Sequence, residues 1–575
     1  MSVRVLNNNS NNTDVKSKTL PTKASTSWLR NPSWPACEAN SGDNRVRGLY
    51  AVWPDGGNFI AMTVSAAYTV NYGDGTTTNY TSGSTAYYSY SYSAAALIGT
   101  EAPVTFTDAG DLVTRTAHGY LNGMQVRFFN ITSTTGISNA QVYYVINATA
   151  NTFQVAAVAG GGVVTLTTDG TAQLLPYRIA TVTITPQAAN NLTSINLFRK
   201  HNQSGLADNY STGWLDLAYA SSTITSLTIS GTGLSSDTLH YNLERVRLNQ
   251  LGAISSFSGL FARLVKLQNV EISNTITSVT NTSFMFESCD NLPTVPLFNT
   301  ANVTNMSYMF YFCFGLQTVP LFNTANVITM SNMFNNCDQL QTVPLFNTAN
   351  VTNMSAMFAG SPGLETVPLF NTASVTDMGS MFNSCNNLPT VPLFNTANVT
   401  NMNNMFRHCD KLQTVPLFNT ASVTNMSYMF ESCDKLQTVP LFNTANVTNM
   451  NNMFRQSYVL QTVPLFNTVN VTNMSYMFYA CKNLQAIPAL VTTAVTSSAN
   501  FTNMFAGCNS LARIEAKDFR FTFSVEDCKL SATALNEIYT NLPTVVGQTI
   551  TVTGNYGRTA DTPSIATAKG WTVTG

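Results

Sequence analysis

Residues 306–329 read MSYMFYFCFGLQTVPLFNTANVIT, and the same 24-residue phrase returns with few changes through the second half of the chain. The proline of VPLF falls at Pro296, Pro320, Pro344, Pro368, Pro392, Pro416, Pro440 and Pro464, then at Pro488 in the altered form IPAL, so every step is 24. The phenylalanine of Met-Phe keeps the same beat from Phe286 to Phe478. Weaker copies flank the array. Leu243, Val246 and Leu248 precede Leu267, Val270 and Ile272 by 24, while Met504, Phe505, Cys508, Leu511 and Ile514 follow after a three-residue insertion, making about eleven legible coils. A fixed period of this length marks an array of stacked repeats and overrides local structure signals.

Within one unit, Met306, Met309, Phe310, Cys313 and Leu316 recur at steps of three and four, which predicts one inward face of a short helix or helical turn. Residues 316–322 (LQTVPLF) read as a short strand, and residues 323–326 (NTAN) supply the turn chemistry that brings the chain back. Such a coil cannot close a core alone. Each must stack on its neighbour, with strands about 4.8 Å apart and an array roughly 50 Å long. The expected fold class is an α/β leucine-rich-repeat-type solenoid of 24-residue coils, preceded by all-β sandwich domains.

The order Met-Phe-x-x-Cys-x-x-Leu-x-x-Val-Pro, matched in nearly every coil between Phe261 and Ile514, resembles the BspA-type leucine-rich-repeat surface proteins. That resemblance implies a curved solenoid used for adhesion or recognition, with no chemistry of its own. The end of the chain fits it: residues 530–539 (LSATALNEIY) look like a capping helix, and residues 550–554 (ITVTG) and 570–575 (GWTVTG) like closing strands. The solenoid is accordingly placed at 223–516 and its cap at 517–575.

Cysteines recur at Cys289, Cys313, Cys337, Cys385, Cys409, Cys433 and Cys481, with Cys508 past the insertion. The same rung is Ser361 and Ser457 in two coils, and no histidine shares the spacing, so the ladder reads as small buried thiols rather than disulfides or metal ligands.

The front of the chain is different in kind. Residues 1–45 are rich in Asn, Ser, Thr and Pro, with Trp28 and Trp34 embedded in WLRNPSWPAC, and read as an extended arm. Its tryptophans either dock onto a larger assembly or pack back on the next domain. From Val46 the pattern alternates, and YTVNYGDGT (68–76) followed by AYYSY (86–90) resembles PKD-like β-sandwiches, with Asp74 a turn former rather than a calcium ligand. The closing strand arrives only at 180–186 (ATVTITP), so the sandwich is expected to be discontinuous, 46–96 plus 177–222. The intervening stretch 97–176 carries TAHGY, GMQVRF, QVYYVIN and NTFQV. It reads as a small inserted β-domain and resembles a module of bacteriophage tail and fibre proteins, in which His118 would be a turn residue.

Composition narrows the function. The 575 residues carry 27 Lys+Arg against 28 Asp+Glu, and charged residues make up 10%. There is no basic footprint for nucleic acid, and no apolar run of about 18 residues to enter a membrane. Residues 1–26 lack the apolar stretch of a secretory signal, so no export by that route is expected. No nucleotide loop, zinc motif or nucleophile elbow occurs, and His118, His201, His240 and His408 are scattered. Asp410 and Asp434 share a rung of adjacent coils, about 5 Å apart, the separation a retaining glycosidase uses. Each is followed by lysine, Lys411 and Lys435, so a surface charge ladder explains the pair without catalysis. The threonine row from Thr294 to Thr462 superficially resembles an ice-binding face, but any Thr-bearing strand gives such a row when stacked.

The function expected is therefore non-enzymatic and without cofactor: a bacteriophage virion protein, a tail or head fibre on the particle exterior. It would dock to other virion proteins through the arm, with Trp28 and Trp34 as anchors, and meet a host-surface glycan or protein through the solenoid. Fibres are commonly trimeric, but the sequence carries no coiled-coil heptads and leaves the copy number of such a homo-oligomer open. The alternatives are a bacterial cell-surface adhesin and, more remotely, a tailspike glycosidase. Coil-to-coil comparison locates the recognition residues, because TVPLFNTA barely changes whereas the helical side varies. The candidates there are Tyr308, Tyr311, Phe312, Phe314, Arg407, His408, Tyr428, Arg455, Tyr458, Tyr476 and Tyr479.

Overall fold

In the computed structural model, the repeats stack into a β-solenoid of about 13 turns. It describes residues 34–39, 43–52, 58–98, 102–175 save 121, 124, 140, 142, 159 and 160, then 177–187, 190–200, 202, 213–230, 242–517 and 519–575. The chain divides into two compact units, Met1–Ile254 with Lys266–Ile276, and Ser255–Val265 with Thr277–Gly575.

The varying side of each coil is not helical, which corrects the α/β expectation. Steps of three and four come instead from two consecutive β-turns. In the coil at 306, the N–H groups of Met309 and Cys313 donate to the carbonyls of Met306 and Phe310 at 3.3 and 3.2 Å. The third residue of each turn is left-handed, Tyr308 at φ 59° and Phe312 at φ 58°, the pattern of a type II turn. Tyr308, Phe310 and Phe312 send their N–H groups to Ser331, Met333 and Asn335 of the next coil at 2.9–3.0 Å. A helix would spend those donors within the coil. Stacking claims every second one, and the chain turns rather than winds. The inward residues are the expected ones: Met306, Met309, Phe310, Cys313 and Leu316 are all fully buried.

The strand expected at 316–322 is also only partly formed. Each VPLF coil carries a proline where the ladder needs an N–H, so the segment runs extended without pairing through it. Coils lacking that proline behave differently: Arg245–Gln250 and Asn269–Ile272 pair in regular parallel register. Ala486–Val491, which keeps Pro488, pairs with Arg513–Lys517 only with a register shift between Ile487 and Leu490.

Side-chain ladders hold the coils together where strands do not. Phe261, Phe286, Phe310 and their equivalents to Phe505 stack ring on ring at 5.3–6.1 Å. The buried Thr324 hydroxyl donates to the Asn347 carbonyl of the next coil at 2.8 Å, and Thr348, Thr372, Thr396, Thr420, Thr444 and Thr468 repeat the bond. All ten cysteines are buried. Cys313 donates to the carbonyl of Phe286, and Ser361 and Ser457 make the same bond to Phe334 and Phe430. A hydroxyl therefore replaces a thiol there without orphaning the carbonyl. At its far end this unit has the helix Ala532–Asn541, capped by Ser531, and the parallel strands Phe523–Ser524, Gln548–Thr551 and Trp571–Thr574.

The first unit is all β. Arg45–Val52 lies in a seven-stranded sheet between Arg178–Pro186 and Trp214–Ala220. Phe59–Val64, Thr85–Ser89, Ser194–Asn196 and Ser226–Thr228 form a four-stranded sheet. Between Thr85–Ser89 and Arg178–Pro186 the chain closes a six-stranded barrel, from Ala102–Thr107 to Gly170–Leu175, around Phe106, Phe128, Tyr143 and Phe153. Gly73 turns at φ 77°, where a Cβ would meet the backbone nitrogen of Thr181 at 2.5 Å.

Candidate functional site

The eleven candidate recognition residues lie on the turn side of their coils, and each is half-buried. They form two groups. In the first, Tyr308 meets Tyr311 edge-on at 5.3 Å, Tyr311 meets Phe312 at 4.2 Å, and Phe312 meets Phe314 at 5.8 Å. Phe284 of the preceding coil stacks on Tyr308 at 4.5 Å. The same preceding coil places Glu287 and Asp290 one rung from Tyr311 and Phe314. Each acid has one buried oxygen without a hydrogen-bond partner. Burial pushes the Asp290 carboxyl up to about 7, and raises Glu287 against the opposing pull of Arg263.

The second group is built around Glu431, whose side chain is 1% exposed. Arg407 from the coil before and Arg455 from the coil after both pair with it, the latter at 2.6 Å. A buried carboxylate needs that compensation, and two guanidinium groups leave the trio one positive charge in excess. Arg407 lies over the ring of Tyr428 at 5.5 Å and Arg455 over Tyr479 at 5.7 Å, while Lys482 sits 4.8 Å from the ring of Tyr458. Tyr476 meets Tyr479 at 5.7 Å. Burial, then the neighbouring Arg407, hold the His408 imidazole below its usual range. Small or amide side chains occupy most of these rungs in the three coils between the groups, with Ala356, Ala359 and Gly360 in the middle one.

Five candidates, Tyr308, Phe312, His408, Tyr428 and Tyr476, occupy left-handed turn positions. Sequence reading missed this, although the signal was present: the same rungs carry Asn332, Asn336, Gly360, Asn404 and Asn452, the residue types that tolerate positive φ. Glu431 was missed because nothing local marks it as the acid between two arginines a coil away on either side.

Other sequence-marked residues are occupied by their own surroundings. Trp34 is 4% exposed, packed with Leu49, Ile179 and Leu215, and its indole N–H donates to the Tyr177 hydroxyl at 2.6 Å. It is therefore an element of the first unit's core and is not presented to a partner. Trp28 lies outside the described residues. The Asp74 carboxylate accepts the Thr76 N–H at 3.0 Å and the Tyr88 hydroxyl. Both ring nitrogens of the 4% exposed His118 face backbone partners, Tyr120 N–H at 2.9 Å and the Thr152 carbonyl at 3.3 Å. Asp410 accepts from the Asn386 amide at 2.6 Å. Among the described residues no group of three or more His, Cys, Asp or Glu is placed to hold a metal ion, and no helix is long and apolar enough to cross a membrane.

The repeat region matches a family model described as "Mycoplasma protein of unknown function, DUF285", over residues 255–368, 336–438 and 410–519. No curated protein matches the chain. Among solved structures, the chain is similar to a leucine-rich repeat protein from Eubacterium ventriosum, with 16% identity, TM-score 0.32, and coverage of 53% of this chain and 91% of that one. A leucine-rich repeat protein from Bacteroides ovatus is similar at 14% identity and TM-score 0.27, covering 56% of this chain and 86% of that one.

Proposed function

We propose that the protein is a repeat-based recognition or adhesion module, whose turn side binds a glycan or protein on a cell surface without a catalytic step. The observation that carries this reading is the contrast between rungs. One backbone geometry is repeated in every coil, yet the turn side alone gathers half-buried tyrosines, phenylalanines and arginines into two groups. Aromatic faces and partly satisfied guanidinium groups anchor protein partners and stack on sugar rings.

The chain itself supplies the substitutions that test it. Asn already stands at the rungs of Tyr476, Tyr479 and Tyr458, as Asn452, Asn335 and Asn386. The triple variant Tyr476→Asn, Tyr479→Asn, Tyr458→Asn should keep the melting temperature and lose binding of the labelled full chain to target bacteria by at least about tenfold. Undiminished binding would place recognition elsewhere.

The finer reading is a bacteriophage tail or head fibre docked through its N-terminal arm; its support is the likeness of residues 97–176 to phage fibre modules. The match to a family of mycoplasma proteins favours the second reading, a bacterial surface adhesin. Mass spectrometry of purified particles and of cell envelopes separates the two. For the fibre, deletion of residues 1–33, stopping short of Trp34, should abolish incorporation while the rest still folds.

A further inference from the structure

The VPLF side of the solenoid carries an apolar ridge that the recognition reading does not use. Leu297, Leu321, Leu345, Leu369, Leu393, Leu417, Leu441 and Leu465 are each 55–61% exposed, one per coil in eight successive coils. Their exposed surface sums to on the order of 800 Å², above the largest apolar patch of an ordinary monomer and about one partner's share of a standard interface. From the first to the last of these coils the outward positions beside the ridge are Gln, Thr, Pro and Asn, and the one charge among residues 292–300 and their equivalents is Glu365. Thr318 hydroxyls bond along the row, to Thr294 at 3.3 Å, which makes the rim polar and regular.

We propose that this leucine ladder is the surface through which two copies of the chain associate, ridge against ridge. Three features select a second copy as the occupant. The area is what a stable pair needs. The ridge and its rim carry almost no charge, so they have nothing to offer a charged partner. The ridge also repeats once per coil, and a partner that matches it over eight coils must carry an apolar row of the same pitch. This chain carries one. A two-fold arrangement uses the same patch on both copies and closes without leaving a free ridge. The turn side, with both recognition groups, lies on other rungs of the coil and stays available.

Sedimentation of the full chain between about 1 and about 100 μM tests it: the expected result is a dimer whose dissociation constant rises at least about tenfold in the variant Leu369→Glu, Leu393→Glu, Leu417→Glu. These side chains point outward, so the variant should melt with the wild type. Thr400→Glu, on a different row, should leave the dimer intact. A wild type that sediments as a monomer throughout, or a dimer that the three glutamates leave unchanged, would overturn the proposal. Neither outcome touches the binding test on Tyr476, Tyr479 and Tyr458.

Discussion

Tyr428 sits at φ 58°, and the same rung is left-handed in coil after coil whatever residue fills it: Asn404, Asn452, Ser380, Ala356, Tyr476. A residue with a Cβ pays about 1–2 kcal/mol for that conformation. The cost recurs in every coil and is offset by the bonds to the next one, which need the turn. Asp290 shows a second residue-scale compromise. Its carboxyl is raised from 3.8 to about 7 by burial. Between those values the native state holds a proton that the unfolded chain has released. The stability that Asp290 contributes is therefore complete below about 3.8 and falls as the pH rises towards 7. Asp290→Asn, the residue found at the same rung as Asn386, removes this part of the slope. It should stabilise the protein by at most about 4 kcal/mol at pH 8 and leave it unchanged near pH 3, measured by urea denaturation across pH.

At the scale of one coil, two kinds of ladder do the work that strands do elsewhere. The phenylalanine stack supplies apolar burial, and the Thr324-type hydroxyl closes the corner after VPLF by bonding across coils. Proline makes that second bond necessary, because it withdraws the backbone donor two residues before Phe322. Thr396→Val keeps the shape and removes the donor to Asn419. It should cost about 1–2 kcal/mol, a loss for which the isosteric side chain cannot compensate. Thr400→Val is the contrasting case. Its hydroxyl is at the surface, so its loss should change stability by less than about 0.5 kcal/mol in the same denaturation experiment.

For the molecule as a whole, a stacked array has no residue pairs that are distant in sequence beyond the neighbouring coil, so its stability is close to a sum of coil and interface terms. Removing one whole period should therefore be tolerated where removing a fraction is not. Deletion of residues 378–401 joins Asp377 to Met402, the residue that stands in the same phase as Met378. It should retain the circular dichroism spectrum and melt within a few degrees of the wild type. Deleting residues 378–389, half a period, brings Thr390, Thr400, Asn403 and Lys411 onto the buried rungs of Met378, Leu388, Val391 and Val399 and should leave that half of the chain unfolded.

The period, the inward set and the order of the coils could be read from the chain alone, because a 24-residue spacing is a one-dimensional property and apolar residues at Met306, Phe310 and Leu316 have one place to go. The terminal helix was equally legible, since Ser531 before an apolar run is a local signal. What the spacing could not distinguish was a helix from two turns: both put residues three and four apart on one face. The choice fell to the next coil, whose carbonyls take the N–H groups of Tyr308, Phe310 and Phe312. The pairing of Arg407 and Arg455 on Glu431, the enclosure of Trp34 by its own unit, and the outward set of the eight leucines were likewise decided by contacts between segments far apart in the chain or by which rung faces water. A repeat pattern specifies neighbours along the chain, and these are relations across it.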